Sequence, residues 1–342
     1  MATVNGTPFN DNYTFNYGQF RPGLVGTNPE FIWDPEQGTL LTTGADSIYG
    51  YSGNDLLFGL GGGDYLDGGT GVDIMYGGEG NDTYVVDHQN DQVIEGSFQG
   101  IDTVISSITF PLGYTLGDNQ ENLILTVNAY EGYGNSLDNR ITGNNLGNRL
   151  DGEAGDDYIN GGFGSDDLYG GSGNDSLIGG FSNDYLFGEA DNDSLVGGWG
   201  NDFLSGDSGN DELYGDSGND ELYGGTGNDS LIGGSGDDYL SGHSGNGGTS
   251  YDVVTGGTGG DTFALGFSTT VHYLGNGYAT ITDFNSAEGD FVEVAGSVAD
   301  YSLIQSGSNT NISYNNDLIA IVQNALLTES NLVSAPIVNP PI

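Results

Sequence analysis

The sequence contains no cysteine and no lysine, and its only basic residues are Arg21, Arg140 and Arg149. Without cysteine, the chain can form neither a disulfide framework nor a thiolate metal site. Acidic residues number 49, and the formal net charge is −46. This balance argues against a nucleic-acid or anionic-membrane partner, because almost nothing in the chain could neutralise phosphate groups.

Histidine is also scarce, and long apolar runs are absent. The three histidines, His88, His243 and His272, are too few to favour a zinc, copper or haem centre. Met1 to Asn16 contain no basic segment followed by an apolar one, so we expect no cleaved signal peptide. No run approaches the roughly 20 apolar residues that span a bilayer, so we expect no transmembrane segment.

The chain does contain a nine-residue repeat of the form G-G-x-G-(N/D)-D-x-L-x, as in residues 170–178. Each unit reads as a glycine-rich turn followed by a three-residue strand, with an apolar residue two positions after the aspartate. A flexible glycine-rich linker would not keep such a period. The repeat places aspartates at Asp46, Asp55, Asp64, Asp73 and Asp82, then at Asp157, Asp166, Asp175, Asp184, Asp193, Asp202, Asp211, Asp220, Asp229 and Asp238, and after a five-residue insertion at Asp252 and Asp261.

The repeat divides the chain into five segments. Aromatic, non-repetitive residues 1–41 are expected to cap the end of a repetitive structure, although a binding domain there is an open alternative. Strand-like residues without the repeat separate two arrays and follow the second one. The predicted segments are an N-terminal cap at 1–41, a first array at 42–87, β-rich linker coils without calcium at 88–134, a second array at 135–264, and a C-terminal cap at 265–342.

Two nonapeptides would form one coil of 18 residues, so that residues i and i+18 stack about 4.8 Å apart. Two bare carboxylates at that distance repel by about 3.5 kcal/mol at an effective dielectric of about 20. A calcium ion between them turns this repulsion into attraction. Glycine turns can also direct backbone carbonyls at the same ion. Counting aspartate pairs 18 residues apart gives three in the first array and eight in the second. We therefore expect about eleven well-formed calcium sites at these seventeen aspartates, with weaker ones where Asn139 and Asn148 replace aspartate.

The strings GGSGNDSLIGG (170–180) and GGTGNDSLIGG (224–234) resemble the repeats-in-toxin family. Segments around Asp102-Thr103-Val104 and Ile281-Thr282-Asp283-Phe284-Asn285 resemble parts of such proteins that lie between and after the repeats. The resemblance implies an all-β fold, a parallel β-roll or β-solenoid that binds calcium, with β-rich caps. It also implies type I export through an uncleaved C-terminal signal, which would place the protein outside the cell or at its surface.

Function is less constrained than fold. No H-E-x-x-H occurs and few residues precede the repeats, so we expect no enzymatic activity. The favoured hypothesis is an extracellular structural protein, rigidified by calcium and self-assembling into a filament, surface layer or matrix. The alternatives are a calcium-dependent adhesin that binds a cell-surface glycan, and an enzyme accessory. Outward-facing residues are expected either to mediate assembly or merely to reflect strand propensity: Tyr169, Tyr185, Phe187, Phe203, Tyr223 and Tyr239 on one sheet, and Ile178, Val196, Tyr214 and Ile232 on the other.

Overall fold

The structure, a computed structural model, describes residues 3–5, 32–33, 40–41, 44–109, 113–243, 250–267, 270–275 and 277–335. The insertion at 245–249, the tail from residue 336 and most of the expected cap at 1–41 lie outside the described residues. The chain divides into two compact units, Met1–Asn144 and Asn145–Ile342. Among the described residues, helical structure is limited to two short 3-10 turns, and no helix has the length and apolar character needed to cross a membrane.

The first unit consists mainly of short strands that stack in parallel; the short strands Ile32–Trp33 and Leu40–Leu41 pair antiparallel. On one face, β1, β4, β6, β8, β10, β12 and β14 pair in that order, each parallel to the next. Strands β5, β7 and β9 pair in the same way, as do β11 and β13. The strands are β1 (Thr3–Asn5), β2 (Ile32–Trp33), β3 (Leu40–Leu41), β4 (Ser47–Tyr49), β5 (Leu56–Gly61), β6 (Tyr65–Asp67), β7 (Ile74–Glu79), β8 (Thr83–Val86), β9 (Gln92–Ile94), β10 (Thr103–Ser106), β11 (Tyr114–Thr115), β12 (Asn122–Leu125), β13 (Glu131–Asn135) and β14 (Arg140–Thr142).

The second unit repeats this plan more regularly. Odd-numbered strands β15 to β27 stack in parallel on one face, and even-numbered strands β16 to β26 stack on the other. The strands are β15 (Arg149–Glu153), β16 (Tyr158–Phe163), β17 (Asp167–Ser172), β18 (Ser176–Phe181), β19 (Tyr185–Ala190), β20 (Ser194–Trp199), β21 (Phe203–Ser205), β22 (Glu212–Ser217), β23 (Glu221–Gly225), β24 (Ser230–Ser235), β25 (Tyr239–His243), β26 (Tyr251–Thr258) and β27 (Thr262–Ala264).

The register follows the predicted coil of 18 residues. Ser176 pairs with Ser194 and Leu177 with Leu195, and the ladder resumes at Gly180 and Gly198. Many strands therefore span six residues rather than the three that the repeat predicts, because pairing continues past the first glycine of the turn. Across the insertion, the register jumps so that Leu231 pairs with Val254. The all-β parallel solenoid expected from the sequence is confirmed in each unit.

In the repeats of both units, the core consists of apolar side chains from the eighth repeat position, one row from each of the two faces. These residues are almost inaccessible to solvent because each faces inward between the two sheets. So thin a core leaves little apolar burial per coil. In the second unit the rows contain Leu150, Ile159, Leu168, Leu177, Leu186, Leu195, Leu204, Leu213, Leu222, Leu231, Leu240, Val254 and Phe263.

The second unit ends differently from its repeats. Strand β31 pairs in parallel with β27 and then with β35, while β30 pairs with β26 and β34. Strands β32, β33 and β34 then turn into an antiparallel ribbon. The elements here are β28 (Gly266–Phe267), β29 (Thr270–Val271), β30 (Tyr278–Ile281), β31 (Phe291–Val294), a 3-10 turn (Val298–Asp300), β32 (Tyr301–Ser306), β33 (Asn309–Tyr314), β34 (Asp317–Val322), a second 3-10 turn (Glu329–Asn331) and β35 (Leu332–Ser334).

Candidate calcium sites

All seventeen aspartates selected by the repeat are buried, with relative exposures of 3% or less. Burial of so many carboxylates is costly unless each has a partner, since an ionised group loses its hydration. Each aspartate follows a glycine-rich turn and precedes an inward-facing apolar residue, so the turn directs the carboxylate inward next to the core. The aspartates therefore line the inner edges where the turns join the two sheets.

A ladder of hydrogen bonds from backbone N–H groups to carboxylate oxygens links these aspartates within each unit. The N–H of Asp175, for example, donates to Oδ1 of Asp193, one coil further on, at 2.8 Å. The same bond, 2.7 to 3.0 Å long, joins every predicted pair 18 residues apart. It also spans the insertion, from Asp229 to Asp252 and from Asp238 to Asp261. One carboxylate oxygen of each accepting aspartate is thereby fixed in place.

The second carboxylate oxygen is buried and has no hydrogen-bond partner within the described part of the chain. A native structure leaves few buried polar atoms unsatisfied, so a regular series of them indicates a place where a ligand can bind. This holds for Oδ2 of Asp64, Asp73, Asp82, Asp166, Asp175, Asp184, Asp193, Asp202, Asp211, Asp220, Asp229 and Asp238.

Glycine at the first repeat position makes room for this oxygen. A Cβ on Gly179 would stand 2.5 Å from Oδ2 of Asp184 and 2.8 Å from the carbonyl oxygen of Gly197, the equivalent glycine one coil on. Any larger residue would therefore push the carboxylate out of place. The same glycine leaves a backbone carbonyl and a carboxylate oxygen close together at the edge of the coil.

The second and fourth repeat positions need left-handed backbone conformations. Gly171 and Gly173 have φ of 108° and 128°, values that glycine reaches without strain. Where another residue replaces glycine, as at Glu189 (φ 75°) and Asp191 (φ 77°), the backbone keeps the same conformation. Because such conformations are costly for residues with a Cβ, the turn geometry is imposed by the coil.

Burial and mutual repulsion make the aspartates hard to ionise without a cation. Burial raises the pKa of Asp184 and Asp193 to about 8; neighbouring carboxylates add to the rise and the backbone hydrogen bond opposes it. Asp229, deep in the second unit, has its pKa raised to about 8 for the same reasons. A salt bridge joins Arg149 to Asp151 on the surface.

This donor set fits calcium. Calcium takes six to eight oxygen ligands, typically carboxylates and backbone carbonyls, and the turns supply both. A cation would give the Oδ2 atoms a partner and would offset the repulsion between neighbouring carboxylates. We propose that the seventeen aspartates are the calcium ligands, with the turn carbonyls completing the coordination.

Not every predicted residue has the same surroundings. Oδ2 of Asp252 accepts hydrogen bonds from the Tyr273 hydroxyl at 2.6 Å and the Ser250 hydroxyl at 2.9 Å. Asp252 is thus in register with the ladder, but both of its oxygens have protein partners. Asp261 continues the ladder, since its N–H donates to Oδ1 of Asp290.

Four acidic residues that the repeat pattern did not select extend the ladder. The backbone N–H of Asp73 donates to Asp91, and that of Asp82 donates to Asp102. The N–H of Asp102 donates to Oε2 of Glu121, and that of Asp261 donates to Asp290. Asp91 lies nine residues after Asp82, so the spacing alone could have identified it. The other three follow turns of altered length and leave the period.

The two asparagines behave differently from aspartate. The side-chain amide of Asn139 donates to the carbonyl oxygens of Gln120 and Glu121 at 3.2 Å. An amide nitrogen can thus occupy part of the space between carbonyls where a cation would otherwise be needed. Asn148 keeps the ladder through its backbone N–H, which donates to Asp166.

Two rows of aromatic side chains lie outside the core of the second unit. The sheet row is the predicted set Tyr169, Tyr185, Phe187, Phe203, Tyr223 and Tyr239, whose rings contact one another along the sheet. Phe267 packs on Tyr223 and Tyr239, and the Tyr239 hydroxyl donates to Glu293. The turn row, which the repeat pattern did not identify, consists of Phe163, Phe181 and Trp199, exposed by 52%, 41% and 66%.

Comparison with known proteins agrees with the repeat geometry. A family model described as the RTX calcium-binding nonapeptide repeat, in four copies, matches residues 42–66, 49–84, 58–93, 133–168, 142–177, 178–213 and 214–248. Among solved structures, the extracellular lipase LipA from Serratia marcescens is similar at 11% identity and a TM-score of 0.26, covering 76% of this chain and 67% of the lipase. That likeness is too low to support an argument about function. No curated protein matches the chain.

Proposed function

Since the chain belongs to the RTX family of calcium-binding nonapeptide-repeat proteins, we propose that it is a secreted structural protein whose solenoid folds when calcium binds. The observation that carries the proposal is the series of buried Oδ2 atoms without a protein partner in the described residues. Because each coil contributes one small apolar layer, calcium must supply much of the folding free energy, as in other metal-dependent modules.

Calcium-dependent folding would also be compatible with export in an unfolded state. With a net charge of −46, the metal-free chain repels itself and resembles an intrinsically disordered protein. A cell interior poor in calcium would keep it unfolded during passage through a narrow export channel. Millimolar calcium outside the cell, where weak extracellular calcium modules operate, would then fold it.

Circular dichroism during a calcium titration tests this folding switch. We expect a largely disordered spectrum in chelator and a β-rich spectrum in millimolar calcium, with magnesium much less effective because it demands a tighter octahedral geometry. A β-rich spectrum that chelator leaves unchanged would contradict the proposal.

We further propose that calcium-folded chains assemble through exposed aromatic surfaces into a filament, layer or matrix. The turn row supports assembly better than the sheet row, because Phe267 already covers two residues of the latter. Electron microscopy in calcium should show ordered polymers. Replacing Phe163, Phe181 and Trp199 with serine should reduce them while the calcium-bound fold persists.

A calcium-dependent adhesin is the second candidate, and the turn row is the observation that favours it. Phe163 and Phe181 stack face to face with centroids 4.6 Å apart, and exposed aromatic surfaces often mark interaction sites. Monomers in the microscope that are retained on a glycan column in calcium, and released by chelator, would support this function over assembly.

A further inference from the structure

Glu95 occupies a register position that belongs to glycine in the arrays. Tyr76 of β7 pairs with Ile94 of β9, so Glu95 stands one coil beyond Gly77. At Gly77 a Cβ would collide with the Tyr84 hydroxyl and with Oδ2 of Asp82. The first array therefore ends where a glycine is replaced by a carboxylate that can reach the neighbouring aspartate.

Three carboxylates converge at this point in the first unit. One oxygen each from Asp82, Glu95 and Asp102 lies within 4.8 Å of the other two. The Tyr84 hydroxyl donates to Oε1 of Glu95 and holds its carboxylate. Asp82 and Asp102 are 20 residues apart rather than 18, yet the Asp82 N–H still donates to Oδ1 of Asp102 at 2.8 Å. The longer turn before Asp102 thus preserves this hydrogen bond and leaves room for the Glu95 side chain at a position that glycine occupies in the arrays.

Two oxygens of the cluster are buried and unsatisfied. Glu95 is 9% exposed and Asp82 only 1%, and neither Oε2 of Glu95 nor Oδ2 of Asp82 has a hydrogen-bond partner in the part of the chain that the structure describes. Burial raises the pKa of Glu95 to about 7, and the charges of Asp102 and Asp82 add to the rise. Three buried acids without a basic neighbour call for a cation.

We propose that Asp82, Glu95 and Asp102 bind one calcium ion, with the Tyr84 hydroxyl beside it, at the end of the first array. The site differs from the repeat sites because a third side-chain carboxylate takes part. Calcium affinity rises with the number of charged ligands, so this site should bind more tightly than a repeat site and fill first. It also places calcium at the start of segment 88–134, which the repeat pattern predicts to be free of it.

Calcium titration of the Glu95→Gln variant of the full chain tests the site. Wild type should show one ion bound more tightly than the rest, and the variant should lose that ion or bind it at least about tenfold more weakly. Glu79→Gln is the matched control, because Glu79 is an exposed residue of β7 in the same unit and makes the same change of charge. Equal tight binding in wild type and Glu95→Gln would overturn the proposal.

A crystal of the wild-type chain grown in calcium gives an answer that does not depend on how the variant folds. An anomalous difference peak at a wavelength where calcium scatters should lie between Asp82, Glu95 and Asp102. Peaks along the aspartate ladder without one here would overturn this site and leave the proposed function intact. A peak here without any along the ladder would support this site and contradict the proposed function.

Discussion

At the scale of the residue, the two oxygens of most repeat aspartates have different surroundings: one accepts a backbone hydrogen bond, and the other is where we propose that calcium binds. Oδ1 of Asp202 accepts the backbone N–H of Asp184 at 2.8 Å, while Oδ2 of both residues is buried without a partner among the described residues. A buried charge left in this state is strongly unfavourable. Asparagine could keep the first interaction but would present an amide where a cation should bind.

Asp184→Asn should therefore weaken the calcium-bound fold selectively. Because it removes a buried charge from a site where we propose that a cation binds, we expect a loss of about 3 to 5 kcal/mol in saturating calcium and a higher calcium midpoint. Thermal unfolding in calcium measures the first effect, and the titration measures the second.

Asp167→Asn is the control for that variant. Asp167 is exposed and directly follows Asp166, the repeat aspartate one coil before Asp184. It should change stability by less than about 0.5 kcal/mol. If the two variants behave alike, Asp184 is no more important for calcium than a surface aspartate, and its assignment as a ligand fails.

At the scale of the element, the turn conformation is fixed by the coil rather than by the residue that occupies it. Gly180 and Glu189 both stand at the second repeat position, with φ of 113° and 75°. The left-handed region costs about 1 to 2 kcal/mol for a residue with a Cβ. A Cβ on Gly180 would also press on the carbonyl of Gly162.

Opposite substitutions at this position should have opposite effects. Glu189→Gly should stabilise the calcium-bound protein by about 1 kcal/mol, because it relieves backbone strain. Gly180→Ala should destabilise it by about 2 kcal/mol or more, because it adds both strain and a close contact. Melting temperatures in saturating calcium compare the two, and a shift of the same sign in both would contradict the imposed turn geometry.

The sequence predicts these elements where its period holds. The spacing of nine residues is sufficient for the parallel stacking, the inward leucines and the eleven aspartate pairs, because every coil makes the same contacts. It could not predict that Tyr273 donates to Asp252, since Tyr273 comes from outside the repeat. Nor could it place Glu95 beside Asp82, because that contact depends on how a turn of altered length folds.

At the scale of the whole molecule, charge decides whether the chain folds. A net charge of −46 with three basic residues opposes any compact state unless cations are bound. Calcium at many sites would neutralise this charge and bridge successive coils at the same time. Folding, and any assembly that follows it, should therefore depend on how many ions a chain holds.

The calcium content of the folded chain tests this account most directly. Equilibrium dialysis at millimolar calcium, with folding followed by circular dichroism on the same sample, should give at least about eleven ions per chain, one for each aspartate pair 18 residues apart. A β-rich chain that binds no more than about two ions would contradict it, because most of the buried carboxylates would then be stable without calcium.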